Sequence, residues 1–200
     1  MKKILWIVFP LVILLIVLPF LQTDDTEKYR EQFEEEKEKR IRYLKHNDQS
    51  PFNQFDIPFQ KPEYFPYDPS FRVQARVNRV TSRDNVIIQT SDGNTERYTK
   101  YAYLEFTLKS QPLRLLVLKP AGFGAANVLY CAFSDETSTE TTYGGGRYLD
   151  VSIGKSDKTI IDFNLAYNPY CAYAPDYSCP LPPPENILPI AINAGEKDYK

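Results

Sequence analysis

Histidine is almost absent. His46 is the one imidazole in 200 residues, and it closes a charged run. A Ser-His or Cys-His nucleophilic pair would therefore need His46 to fold back onto the rest of the chain, and a zinc site built on imidazoles is excluded. An excess of one charge is also missing. The formal net charge is −2, so no basic field attracts nucleic acid, and no acidic tail is present. Phosphate-loop chemistry lacks its parts as well. Gly144, Gly145 and Gly146 are followed by Arg147-Tyr148-Leu149-Asp150, not by Lys-Ser/Thr and a helix. These glycines read as a close backbone approach or a turn with positive φ. No D-x-D-x-D-G calcium loop occurs, and no metal or other cofactor is expected.

Aromatic and proline residues are plentiful. Tyr (15) outnumbers Phe (12), and Pro numbers 16, a composition that suits a β-rich domain with irregular connections. The chain opens on Lys2 and Lys3, then runs apolar from Ile4 to Leu21, broken only by Pro10 and Pro19. At about 1.5 Å per helical residue this run nearly spans a hydrocarbon core of roughly 30 Å. Phe20-Leu21-Gln22-Thr23-Asp24 offers no small-residue cleavage exit, and no Cys follows to carry a lipid. Residues 1–23 are therefore expected to be an uncleaved signal anchor, with an atypical signal peptide as the competing reading. Lys2 and Lys3 favour the cytoplasmic side, which puts the body outside it, periplasmic or extracellular.

Residues 24–49 form a charged segment, free of Gly and Pro from Thr26 to Lys45, that predicts one amphipathic helix with Tyr29, Phe33, Ile41 and Leu44 as a sparse apolar stripe. Residues 50–200 are expected to be a single β-rich domain. Its start, Pro51 to Pro69, alternates aromatics with prolines and should lie across the domain surface. From Phe71 the apolar period changes to two. Strands are predicted over 71–77, 86–90, 95–101, 103–109, 113–118, 128–133, 148–153, 159–163 and 187–192, with a tight turn at Asp92-Gly93. Such closely spaced turns predict a mainly β fold, an antiparallel sandwich or barrel-like domain.

The densest stretch is 141–197. Cys171 and Cys179 are close enough in sequence to bridge outside the cytoplasm, a staple of about 2–3 kcal/mol, while Cys131 reads as a small buried residue. The oxygen-rich side chains there carry the candidate chemistry. Arg147, Tyr148, Asp162, Asn164, Asn168, Glu185 and Asn186 are candidate ligand-binding residues, with carboxylates and amides gripping hydroxyls and tyrosines stacking on apolar faces. Asp150, Asp162 and Glu185 are candidate catalytic carboxylates for general acid/base work. The same residues equally suit a structural role, capping loops and pairing Arg147 with a buried carboxylate. Three functions stay open: binding of a small polar or carbohydrate-like ligand, a hydrolase-like enzyme with a carboxylate pair, and a cell-envelope scaffold without a pocket. The partners expected are the membrane, through residues 4–21, and a small polar ligand.

The strings Tyr143-Gly-Gly-Gly-Arg147-Tyr148-Leu149-Asp150, Asp162-Phe163-Asn164, Ala166-Tyr167-Asn168-Pro169-Tyr170-Cys171-Ala172-Tyr173 and Cys179-Pro180-Leu181-Pro182-Pro183-Pro184-Glu185-Asn186 resemble the bacterial and archaeal family called domain of unknown function 1684. The resemblance runs from the charged helix to Lys197. It implies that the glycine-rich, asparagine-rich and cysteine-proline segments belong to one unit, and it carries no catalytic residues with it.

Overall fold

The computed structural model describes residues 25–82, 84–121 and 129–200. The signal anchor expected over residues 1–23 lies outside the described residues, as does Val128 of the sixth predicted strand. Among the described residues no helix is long and apolar enough to cross a membrane.

Residues 25–46 are helical and are termed α1. The stretch is rich in Glu, Lys and Arg, all good helix formers, and ion pairs at i,i+3 such as Lys39–Glu36 (3.3 Å) line its exposed side. Phe33, Ile41 and Leu44 are buried, as the apolar stripe predicts. Asn47 to Ser50 turns the chain. Ser50 then caps a single helical turn, α2 (Pro51–Gln54), by accepting the Asn53 N–H at 3.3 Å, with Pro51 at the first position. The aromatic connector that follows is laid down on the domain. Phe52 packs with Leu44 and Tyr173, and Phe65 N–H bonds the Gly195 carbonyl at 2.9 Å.

Seven strands follow, β1 (Arg72–Arg79), β2 (Asn85–Gln89), β3 (Thr95–Leu108), β4 (Gln111–Pro120), β5 (Ala132–Phe133), β6 (Arg147–Tyr148) and β7 (Lys158–Asp162). Five make one antiparallel sheet centred on β3. Strand β4 runs along one edge of β3, while β2 and β1 share the other, and β7 lies outside β1. The two strands predicted over 95–101 and 103–109 are one 14-residue strand. A register irregularity between Lys100 and Ala102 shifts the alternation there, which reads in sequence as a break. Lys109 and Ser110 both have positive φ (49° and 63°), closing a two-residue hairpin between Leu108 and Gln111.

The inner face of the sheet buries Ala75, Val77, Leu104, Phe106, Leu115 and Ile161 against Phe133, Phe163 and Ile192. Leu116 and Leu118 point the other way, into a second cluster with Tyr98 and Tyr130. Strand β4 is thus covered on both faces, which its unbroken Leu115-Leu116-Val117-Leu118 run requires.

No barrel closes among the described residues, and the fold is mainly antiparallel sheet with one long helix. Only the short β5–β6 ribbon and extended coil face the sheet across the core. The strand predicted over 187–192 is a correction. Leu188, Ile190 and Ile192 are buried in alternation, as a strand would place them, but the segment joins no ladder. Pro189 has no N–H to give, and much of the remaining bonding capacity of this strap is met by side chains.

Candidate functional site

The side chains singled out by sequence divide among several places. Arg147, on β6, is 1% exposed. Its Nη2 donates to Asp135 Oδ2 (2.9 Å) and to the Ile192 carbonyl (3.0 Å). Its Nη1 donates to the Ala194 and Glu196 carbonyls, and the guanidinium lies over the Phe133 ring. Asp135 Oδ1 accepts from Thr137 N–H (2.9 Å), Thr137 Oγ1 (2.7 Å) and Ile192 N–H (3.1 Å). This pair fastens the 187–196 strap where a neighbouring strand would otherwise do so, and it leaves no face for a ligand. Gly146 permits the entry. Its φ is +82°, and a Cβ there would sit 2.6 Å from the Phe133 carbonyl oxygen.

The asparagines are also internal ties. Asn186 donates to the Leu116 (2.9 Å) and Ala132 (2.7 Å) carbonyls and accepts the Leu116 N–H at 2.6 Å. It joins β4 to β5 as a strand residue would. Asn164 exchanges hydrogen bonds with the Asp68 backbone, accepting at 3.0 Å and donating at 2.9 Å. Tyr148 donates its hydroxyl to the Pro180 carbonyl at 2.7 Å. Glu185 stands apart from the other candidates, paired with Lys100 of β3 at 3.2 Å. Its own backbone N–H and Lys100 hold its carboxyl below the usual range. The candidates Arg147 and Glu185 thus sit in separate places, each with its own partner.

A knot around Glu196 lay hidden in the sequence. Glu196 is fully buried. It accepts from the Tyr173 hydroxyl, from Asn168 Nδ2 (3.0 Å) and from Asn168 N–H (3.2 Å), with Tyr64 Oη at 3.4 Å. Burial raises its carboxyl above the usual value, against the pull of Arg40 on α1, whose Nε lies 3.8 Å away. Arg40 Nη2 donates to the Asn168 carbonyl at 3.1 Å, and its guanidinium stacks 3.8 Å from the Tyr167 ring centre. The only local signal was Gly195, whose φ of +78° and contact with the Ala166 carbonyl demand glycine just before the acid. Arg40 looked like one more charge on a solvated helix.

Above this knot α1 leaves a cleft of about 620 Å³ against the wall formed by Leu149–Ser152, β7 and Tyr167. Two of the sequence candidates, Asp150 and Asp162, line it together with Arg40, Tyr43, Tyr64 and Tyr167. Tyr167 organises the group. Arg40 covers its ring, and its hydroxyl donates to Asp150 Oδ1 at 2.8 Å. Asp150 is exposed and keeps its second carboxylate oxygen for other donors. Asp162 is more committed. Its Oδ1 accepts the Asn164 N–H (3.0 Å) and Nδ2 (2.9 Å), and its Oδ2 lies 3.5 Å from Arg72 Nε. Burial raises the Asp162 carboxyl, and these partners pull it back. A smaller hollow of about 350 Å³ shares Asp162 and continues the cleft towards Tyr29 and Arg72. Two other hollows on the open sheet face share Glu105 and Phe106; one adds Arg76, Asp157 and Lys158 and the other Arg114, and neither holds a tyrosine.

Cys131, Cys171 and Cys179 are all buried free thiols. Among the described residues no group of three or more His, Cys, Asp or Glu side chains is placed to hold a metal ion.

Comparison with known proteins agrees with this architecture without assigning chemistry. The chain is 35% identical to an uncharacterised protein of Haloarcula marismortui solved by solution NMR, with a TM-score of 0.66, covering 87% of this chain and 96% of that one. No curated protein matches. The family model described as "Protein of unknown function (DUF1684)" matches residues 58–197, and the chain belongs to that family.

Proposed function

We propose that this protein is a binding domain for a small polar, carbohydrate-like ligand, held outside the cytoplasm by a membrane anchor at residues 4–21. The cleft between α1 and the Asp150–Tyr167 wall is its site. The observation that carries the reading is the arrangement on Tyr167, which holds the Arg40 cation over its ring face and the Asp150 carboxylate at its hydroxyl, beside a concavity of about 620 Å³. The free Asp150 oxygen accepts from ligand hydroxyls, while Tyr43 and Tyr64 offer rings to an apolar face. The membrane part of the proposal rests on the apolar run and on Lys2 and Lys3.

Calorimetric titration of the full-length protein in detergent micelles with a panel of neutral and acidic mono- and disaccharides tests this. At least one sugar is expected to bind, and Asp150→Ala to weaken it about tenfold, the equivalent of one lost charge-assisted hydrogen bond. Absence of heat with every sugar, or binding untouched by Asp150→Ala, rejects the cleft.

One observation favours a hydrolase-like second reading. Asp150 and Asp162 share the cleft, and burial raises the Asp162 carboxyl. Turnover of a bound sugar that Asp162→Asn abolishes while binding persists would establish it.

A further inference from the structure

We propose that Cys171 and Cys179 form a reversible dithiol–disulfide couple, with Cys171 as the attacking thiol and Cys179 as the resolving one. The two thiols, 8 residues apart, already meet. Cys179 Sγ accepts the Cys171 backbone N–H at 3.2 Å, which sets the two side chains next to each other. Their surroundings differ in a way that separates the roles. The Tyr143 hydroxyl donates to Cys171 Sγ at 3.6 Å, a donor placed to hold that sulfur as a thiolate. The Cys179 thiol and Tyr143, working against burial, bring the Cys171 thiol down to about 6, whereas Cys179 is pushed up by its bond to Cys171 and by burial. Cys131 has no part in this. It is enclosed in the core, and burial alone raises its thiol to about 12.

The reaction needs an organic disulfide of the glutathione class. The Cys171 thiolate attacks one of its sulfurs, forming a mixed disulfide and releasing one thiolate. Cys179 then gives its proton to that thiolate, and its sulfur displaces the second. Two protein thiols are oxidised to one bridge, and the disulfide is reduced to two thiols. Both cysteines are nearly enclosed, at 6% and 5% exposure, and the chain between them carries the exposed Pro175, Asp176 and Ser178.

The bridge would act on the cleft from behind. Cys171 sits in the 3-10 turn Tyr170–Ala172, whose Tyr170 hydroxyl donates to Tyr43 of α1 at 3.0 Å. Tyr173, next along, bonds Glu196. Cys179 lies at the other side, its carbonyl accepting Ser91 N–H at 2.8 Å beyond β2. Oxidation would tie the turn that supports α1 to the sheet edge.

The full-length protein, equilibrated with mixtures of reduced and oxidised glutathione, alkylated and mapped by mass spectrometry, tests the couple. Cys171 and Cys179 are expected to lose alkylation together and yield a 171–179 bridge, with Cys131 alkylated only after unfolding. Cys179→Ser is expected to trap glutathione on Cys171, and Cys171→Ser to leave Cys179 reacting roughly tenfold more slowly, since burial still disfavours its thiolate. Tyr143→Phe, with melting as a check on folding, is expected to slow bridge formation several-fold. If both cysteines stay alkylatable across the whole range, the couple does not exist. Trapping on Cys179 in preference to Cys171 overturns the assigned roles.

Discussion

The β1–β4 half of the molecule and the half beyond residue 129 are held together by different bonds. In the first, backbone ladders do the work, and side chains divide between an apolar inner face and an outer face that is polar except where Ile88, Leu116 and Leu118 meet the second cluster. In the second, strands are two to five residues long. There, much of the backbone is satisfied by buried side chains, with Arg147, Asp135, Asn164, Asn168 (Nδ2 to the Lys197 carbonyl) and Asn186 each reaching main-chain groups. The lesson concerns how polar residues are read. Buried arginine and asparagine side chains that grip backbone amides use the same geometry that grips a ligand.

The two halves should break differently. The largest effect is expected from Arg147→Met. Asp135 then stays buried without its cation, and three strap carbonyls lose a donor, at a cost of about 3–5 kcal/mol in urea unfolding. Replacing Asp135 by Leu in the same chain should recover part of that loss, because no lone charge remains. Leu104→Ala, in the ladder half, should cost about 2–4 kcal/mol through lost burial and a cavity, and no second substitution of a polar group should relieve it.

A smaller, pH-dependent effect belongs to Glu196. Its folded carboxyl is raised above the ordinary value of 4.5, so the proton is bound more tightly in the folded chain. The stability this confers is complete below the unfolded value and is lost as pH rises through the folded one. Thermal unfolding from pH 4 upward should therefore show wild type losing stability relative to Glu196→Gln, by no more than about 1.4 kcal/mol per pH unit. The smallest effect is expected at the exposed Lys39–Glu36 pair of α1. Glu36→Gln should change stability by less than about 0.5 kcal/mol by the same measurement.

What was legible follows the same division. Strands β1 to β4 and their turns were visible because alternation and turn residues are local signals, and only the bulge at Lys100 and Ala102 split β3 in two. The strap at 187–192 carried the same alternation yet is no strand, since pattern reports which side chains are buried and not where the N–H groups go. Of the candidate site, Asp150 and Asp162 reach the cleft. Arg147, Asn164 and Asn186 had the right chemistry and an internal partner that sequence cannot show. Arg40 and Tyr64 lie more than a hundred residues from Glu196, and only packing brings them to it. Cys171 and Cys179, expected from their proximity in sequence to form a disulfide, are free thiols, with the Cys171 N–H on Cys179 Sγ.

Hydrogen–deuterium exchange on full-length wild type and Arg147→Met tests most directly whether side chains hold the second half. Protection is expected to fall selectively at the amides of residues 187–198, including Ile192 and Glu196, while β3 and β4 keep theirs. Equal loss across both halves, or no loss in the strap, would contradict the account.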